Sequence, residues 1–435
     1  MPKSENKFND LGPKEWLPFQ KSFTEYKDLE TLVDTNLKFF TKPSISPKQN
    51  VLSIGSDKFS SLFRSCSAKL GLSWNSAKKS YDFLAADLIK SELPISDAMT
   101  WIAKHSRKLN NKKFLWVLIP TNWLDSNGFP IPWKLSTELA EFLTRKDEKI
   151  ICLPNGQTWT SLYFRKDEIS KLYKPDFNYP DNGIVKLNQN SFPDWFILKP
   201  KPRTNNEVLH PAKYPEELVQ MYVKKFTNQG EIVFDPMSGT GTTQVESLRL
   251  GRKAYGIELS KLFHDIATEK CAGFQETKAW RIELGDARKI ETMDFPKFDY
   301  VITSPPYWDM LNMKGAKNQA LRKAKGLQTN YSDNRNDLGN LNNYTNFVKV
   351  LIDIYRKTAN NLKSSGHITI VVKNIKKKGK LYPLAFDLTN KLMEYLEFIH
   401  VGFWCQDDIQ ISPYGYKHTW VSNTFHHYCV TFKKH

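Results

Sequence analysis

From residue 215 onward the chain alternates between two hydrophobic periods. EELVQMYVKKF (216–226) places Leu218, Met221, Tyr222 and Phe226 on one helical face. Short apolar runs bounded by polar residues follow: EIVF at 231, KAYGIE at 253, WRIEL at 280, FDYVIT at 298, HITIVVK at 367, HVGFWC at 400 and HYCVTF at 427. Between most of them the period turns helical; Phe347, Val350, Leu351 and Ile354 stand at i, i+3, i+4 and i+7. Strand and helix in alternation predict a mostly parallel sheet covered on both faces. Only loop separates the last two runs, which predicts an antiparallel hairpin at one edge.

The first half is less regular. YKDLETLVDTNLKFF (26–40) is amphipathic and ends at TKPSISPKQN, a linker-like stretch with two prolines. Strand-like and helical runs alternate from 51 to about 165. FNYPDNGIVKLNQNSFPDW (177–195) reads as loops, and LKPKPRTNN (198–206) reads as a domain boundary. The domains expected are therefore 1–50, a helical segment and linker; 51–200, an N-terminal α/β region; and 201–435, a second α/β domain. A faint repeat links the halves. YDFLAADLIKSELP at 81 is similar to FDYVITSPPYWDML at 298, and each is followed by a helical stretch, a buried strand, a glycine and an aromatic–proline pair. Asp87-Leu88-Ile89-Lys90 then stands where Ser304-Pro305-Pro306-Tyr307 stands in the second copy.

Charge narrows the class of partner. Lys plus Arg number 63 against 46 Asp plus Glu, a formal charge of +17, which suits a polyanion such as nucleic acid. The five cysteines are scattered and form no CxxC pair, which argues against a disulfide framework or zinc site and leaves no metal centre expected. No apolar run reaches the ~18 residues of a membrane span, and the polar start MPKSENKFNDLG has no signal-peptide core. A cytoplasmic protein that meets no membrane is expected.

The richest stretch is IVFDPMSGTGTTQVESLRLGRKAYGIELS (232–260). A strand ends near Phe234, the Gly239-Thr240-Gly241 turn lets backbone approach a ligand, and a helix begins near Thr242. Its free N–H groups favour an anionic group. Glu258 ends the next strand 23 residues beyond Asp235, where an acid binds ribose hydroxyls. There is no G-K-[ST] ending for a triphosphate, and Asp235 would repel a pyrophosphate. An acid beside a helix N-terminus suits a zwitterion, with Asp235 meeting the ammonium. S-adenosylmethionine carries an ammonium, a carboxylate and a ribose. Asp286, in ELGDAR, ends the third strand and can accept from an adenine amino group.

Together these segments resemble the amino-methylating DNA methyltransferases, the N4-cytosine and N6-adenine family. FDPMSGTGTT looks like the family's cofactor loop, TSPPYW like its catalytic motif, and HPAKYPEEL (210–218) like the segment preceding the loop. The resemblance covers roughly 200–435 and implies a Rossmann-like, seven-stranded S-adenosylmethionine-dependent methyltransferase sheet. The N-terminal α/β region would be a degenerate copy of the catalytic half. In the best-known permuted members the catalytic motif precedes the cofactor loop; here the order is the reverse. The cofactor-binding residues implied are Lys213, Tyr214, Asp235, Pro236, Ser238, Gly239, Thr240, Gly241, Thr242, Glu258, Leu259, Asp286 and Ala287. Catalysis falls to Ser304, Pro305, Pro306 and Tyr307. An exocyclic amine is a poor nucleophile, so the base is flipped into a pocket. Ser304 and the Pro305 carbonyl would accept the amine hydrogens, Pro306 would stiffen the loop, and Tyr307 would stack on the base. Serine in first place resembles the N4-cytosine members.

This implies a site-specific enzyme acting on double-stranded DNA in a prokaryotic nucleoid, within a restriction–modification system and beside a restriction endonuclease for the same site. N6-adenine methylation, RNA amine methylation and a catalytically silent DNA-binding protein are the alternatives. Lys314, Lys317, Arg322, Lys323 and Lys325 follow the catalytic motif, and Lys373, Lys376, Lys377, Lys378 and Lys380 follow a later strand. They are the expected phosphate contacts. Residues 51–200 and 310–340 are the expected base readers, and His426 reads as structural.

Overall fold

The structure is a computed structural model that describes residues 6–89, 94–167, 184–186, 192–199, 215–274, 277–306, 308, 337–341, 343–377, 380–408, 411, 415–420 and 423–435. The chain divides into two units. The first comprises Met1–Trp195, Lys376–Tyr382 and Asp408–His426; the second comprises Phe196–Ile375, Pro383–Asp407 and His427–His435.

In the first unit the strands are β1 (Phe23–Glu25), β2 (Asn50–Ile54), β3 (Ser73–Trp74), β4 (Tyr81–Asp87), β5 (Leu109–Pro120), β6 (Trp123–Leu124), β7 (Thr144–Cys152), β8 (Thr158–Arg165) and β9 (Val185–Lys186). The main sheet runs β1-β7-β8-β5-β4-β2-β3, and β6 pairs with β9. β2, β3, β4 and β5 are parallel, whereas β8 runs antiparallel to both β5 and β7. Apolar side chains fill both faces, as expected where helices cover a parallel sheet. Residues before 50 do more than link: β1 pairs with β7, and Trp16, Phe19, Val33, Leu37, Phe39 and Phe40 are core residues.

The second unit contains β10 (Trp195–Ile197, which begins at the boundary), β11 (Ile232–Asp235), β12 (Lys253–Glu258), β13 (Trp280–Leu284), β14 (Phe298–Thr303) and β15 (Leu362–Val372). β16 (Ile375–Lys377) and β17 (Lys380–Tyr382) pair with each other and fall, apart from Ile375, in the first unit; β18 (Glu397–Cys405) and β19 (His426–Lys433) complete the second unit's sheet. The sheet order is β10-β18-β19-β15-β14-β11-β12-β13. The seven strands read from the sequence are all present. The last two are neighbours as expected, but not at an edge: β19 lies antiparallel against β15, and β10 occupies the outer place beyond β18. The helix Glu216–Phe226 buries Leu218, Val219, Tyr222 and Val223, so its inward face is turned slightly from the predicted one, with Met221 and Phe226 at the margin.

Each sheet, taken by itself, repeats the other's plan. Reading β2, β3, β4, β5, β8 and β7 against β11, β12, β14, β15, β19 and β18 gives the same order and directions wherever the pairings are defined. The fine register agrees as well. β4 pairs Tyr81 with Leu109 and then, across an irregularity, Phe83 with Phe114. β14 pairs Phe298 with Leu362 and then Tyr300 with His367. In each bulge one residue is left-handed, Lys112 (φ 62°) or Ser365 (φ 64°). Asp82 accepts the Asn50 N–H (2.9 Å) and faces Lys113 (3.9 Å); Asp299 accepts the Ile232 N–H (2.9 Å) and pairs with Lys363 (2.7 Å).

The copies diverge after their first strand. In the second unit Pro236–Gly241 separate β11 from the helix Thr242–Arg249; in the first, only Gly55 and Ser56 separate β2 from the helix Asp57–Lys69. A Cβ on Gly55 would stand 2.8 Å from the Asp87 Cβ, so strand ends meet where the second unit keeps a loop. Asp87 is buried there, accepting from the Ser56 hydroxyl (3.3 Å) and the Ile89 N–H (3.0 Å).

The first unit also buries a lysine. Lys149, on β7, donates to the Phe19 carbonyl (2.5 Å) and lies 3.5 Å from the Phe19 ring and 5.3 Å from that of Trp420. Burial lowers its pKa to about 7; Asp147 opposes that shift and Lys376 adds to it. Between pH 7 and the unfolded value near 10.5 the unfolded chain therefore binds a proton that the folded chain does not. Denaturant titrations of wild type and Lys149→Met at pH 7 and 9 should show the wild type gaining roughly 1–3 kcal/mol relative to the variant as pH rises. Parallel pH profiles would place a charged amine in the core.

Candidate active site

The cleft of the second unit is built on the segment after β11. Gly239 (φ 55°) and Gly241 (φ 79°) take left-handed conformations that glycine adopts without steric cost. At Gly241 an added Cβ would also stand 2.9 Å from that of Ala267, because the helix Lys261–Ala272 packs against the turn. Asp235 holds the loop from behind. Its Oδ1 accepts the Met237 N–H (3.0 Å) and its Oδ2 accepts the Thr243 hydroxyl (2.7 Å). Gln244 donates to Ser238 Oγ (2.9 Å), and Ser238 donates in turn to the Asp235 carbonyl (3.1 Å).

Glu258, the last residue of β12, faces this loop. Its Oε2 accepts the Gly239 N–H (2.7 Å) and its Oε1 the Ser260 N–H (2.8 Å). Burial dominates those bonds and raises its pKa to about 7, with the charges of Asp235 and Asp337 adding to the rise. Asp286 follows β13 one strand farther out. Burial works against its charge too, but hydrogen bonds from the Arg288 side chain and N–H outweigh it and keep the carboxyl below its usual range.

β14 delivers the other wall. Ser304, Pro305 and Pro306 leave its end, and Pro305 and Pro306 are the reason that the ladder stops there. Trp308 is a strut: its indole N–H donates to the Leu341 carbonyl (2.7 Å) and its ring meets Tyr344 edge-on at 5.3 Å. That bond anchors a short turn, Leu338–Asn340, whose N-cap Asp337 accepts the Gly339 N–H (2.8 Å).

These pieces line one open cleft. Of the residues expected from the sequence, Pro236, Gly239, Glu258, Leu259, Asp286, Ala287, Ser304, Pro305 and Pro306 line it. Asp235, Ser238, Thr240, Gly241 and Thr242 shape the loop without lining the cleft. Lys213, Tyr214, Tyr307, Lys314, Lys317, Arg322, Lys323, Lys325 and Lys378 lie outside the described residues. Lys376 and Lys377 belong to the first unit, where Lys376 pairs with the buried Asp147 at 2.5 Å. His426 is buried with its Nδ1 2.8 Å from Ser22 Oγ, as a structural histidine would be. Sequence reasoning missed Met237, Ser260, Phe263, Gly285, Asp337, Leu338 and Ile354. Ser260 was signalled by its place beside Glu258; nothing local marked Asp337 or Ile354, which arrive from distant segments.

The donor set fits S-adenosylmethionine. Glu258 and Asp286, at the ends of neighbouring strands, suit ribose hydroxyls and an adenine amino group, while Met237, Leu259, Phe263 and Ile354 supply apolar walls. Among the described residues no cluster of side chains could hold a metal ion.

The Glu258 shift has a measurable sign. Ribose hydroxyls donate to the ionised carboxylate, so binding should weaken as pH falls through about 7. 5′-Methylthioadenosine, which has the ribose but no amino-acid tail, should bind about tenfold less tightly at pH 6 than at pH 8 by calorimetry. Glu258→Gln should flatten that profile, and a flat wild-type profile would contradict the assignment.

Comparisons with known proteins bear on the same residues. The family model described as DNA methylase, of the N6 and N4 amino-methyltransferases, matches residues 74–269, a range that includes β4 and the Asp235–Glu258 segment and ends before Ser304. The orphan methyltransferase M.BamHII of Bacillus amyloliquefaciens is 42% identical over 65 residues, covering 15% of this chain and 24% of that protein. The type II methyltransferase M.MjaII of Methanocaldococcus jannaschii is 30% identical over 158 residues, covering 31% and 29% respectively. The chain thus spans about a quarter of the length of these relatives. A solved structure described as a putative rRNA methylase from Clostridium thermocellum aligns with 52% of this chain and 99% of its own at 14% identity, with a TM-score of 0.32. The cofactor-type loop, the acid-ended strands and the Ser-Pro-Pro wall meet in one cleft, and over residues 74–269, a little under half of its length, the chain is similar to the amino-methylating DNA methyltransferases.

Proposed function

We propose that this protein methylates the exocyclic N4 amine of a cytosine flipped from double-stranded DNA at a specific short site. The observation that carries this reading is that the loop after β11 and Ser304–Pro306 line the same cleft. When bound there, S-adenosylmethionine supplies a methyl group carried on a sulfonium. Asp235 maintains the loop, Glu258 holds the ribose and Asp286 the adenine. Ser304 Oγ and the Pro305 carbonyl accept the two amine hydrogens of the base, which favours a pyramidal nitrogen with its lone pair directed into the cleft. A serine hydroxyl is too weak a base to remove the proton first, so its role is alignment and the proton leaves after transfer. Tyr307 is the proposed stacking partner, and the lysine- and arginine-bearing segment 314–325 the proposed phosphate contact.

N6-adenine is the second reading. Serine at position 304 favours cytosine, as does the TSPPYW form of the segment. Two relatives are named type II methyltransferases, which supports a type II restriction–modification setting, and a restriction endonuclease for the same site is the proposed partner. Among the described residues no helix is long and apolar enough to cross a membrane, and the proposed location is the cytoplasm.

Nucleoside mass spectrometry of DNA from cells expressing wild type or Ser304→Ala tests the reading. N4-methylcytosine in the wild type, reduced at least ~100-fold in the variant, is expected. N6-methyladenine would move the target to adenine, and an unmodified genome would remove DNA methylation as the function. Equal marking by both proteins would refute the role of Ser304.

A further inference from the structure

The cleft has a third acid that the cofactor reading leaves without a task. We infer that Asp337 is the residue that binds the ammonium end of S-adenosylmethionine, an inference that rests on that cofactor reading. The sequence nominates Asp235 for this contact. Asp235 is 1% exposed, and its two oxygens hold the Met237 N–H and the Thr243 hydroxyl. It does not line the cleft. Its carboxylate stabilises the loop from inside.

Three acids do line the cleft: Glu258, Asp286 and Asp337. Strand order tells them apart. The sheet runs β14-β11-β12-β13, with Glu258 ending β12 and Asp286 following β13. With the ribose over β12 and the adenine over β13, the amino-acid tail extends the other way, toward β11 and β14. Asp337 serves that end. Its turn is tied through the Leu341 carbonyl to Trp308, two residues along the chain from Pro306. It shares the lining with Pro236, Met237 and Ser304.

The chemistry agrees with the position. Asp337 is 5% exposed, and the Gly339 N–H fixes its Oδ1 through the N-cap of the turn. A carboxylate held in a desolvated wall recognises an ammonium more strongly than a surface acid does. Its charge also reaches Glu258, where it is one of the influences opposing ionisation. A cation seated beside Asp337 relieves that repulsion, which couples the tail contact to the ribose contact.

Calorimetric titration of the full chain with two probes separates the contacts. S-adenosylhomocysteine carries the ammonium tail; 5′-methylthioadenosine lacks it. Asp337→Asn keeps a side-chain oxygen to cap Gly339 and should weaken S-adenosylhomocysteine by roughly 10–100-fold. The same variant should bind 5′-methylthioadenosine within about twofold of wild type, which also reports that the cleft is folded. Asp235→Asn, which loosens the loop itself, should weaken both probes. Unchanged S-adenosylhomocysteine affinity in Asp337→Asn, or equal loss of both probes, would overturn the inference and leave the cofactor reading intact. A wild type that binds neither probe would overturn the cofactor reading, and this inference with it.

Discussion

The grip of Asp235 on its own loop is the constraint on which the second unit's cleft depends. One carboxylate oxygen holds the Met237 N–H and the other the Thr243 hydroxyl, so the end of β11 is tied to the first turn of the following helix. Between those points the chain turns through two left-handed glycines and presents the Gly239 N–H to Glu258. A buried carboxylate satisfied in this way is a strong local clamp, because losing a partner would leave a desolvated charge unpaired. The loop's shape is therefore set before any ligand arrives. Pre-organisation of this kind reduces the ordering that binding must otherwise impose.

Glu258 lies on the other side of the same loop and is balanced differently. Two amide hydrogens favour its charge, yet burial and the charges of Asp235 and Asp337 oppose it more strongly. Structural ion pairs tend to settle a carboxyl far below neutrality; a ligand-facing acid left near neutrality is a group whose remaining stabilisation comes from what it binds. Asp286, by contrast, has its charge settled by Arg288. The two acids thus offer a ligand different environments one strand apart.

The duplicated sheet shows how little backbone change separates a cleft from a core. Both units share strand order, the bulge beside β4 or β14, and the aspartate that pins the first strand's N–H. These features are set by hydrogen-bond register, in which a slip of one residue would turn every side chain to the wrong face. The segment after the first strand carries no such constraint. In the second unit it spans Pro236–Gly241 and leaves room; in the first, Gly55 packs onto Asp87 and the strand ends close on each other. Asp87 occupies the chain position of Ser304 but is spent on Ser56 and Ile89.

By itself the sequence determined the second unit's seven strands, the helices between them and the loop from Asp235 to Glu258. Each is encoded locally: hydrophobic period selects helix or strand, and glycine and proline mark where backbone must depart from either. The faint repeat was also legible, because buried strands constrain residue type on both faces. What only the tertiary structure decided concerns segments far apart in the chain. The place of β10 outside β18, and the packing of residues 376–382 and 408–426 with the first unit, depend on pairings that no local pattern specifies. The same holds for the cleft. Composition could show that Asp235 and Asp337 are acids, but not that one carboxylate turns inward to clamp a loop while the other lines the wall. Those orientations follow from which donors the fold brings within hydrogen-bond reach, and a short-range bond between residues distant in sequence is written only in three dimensions.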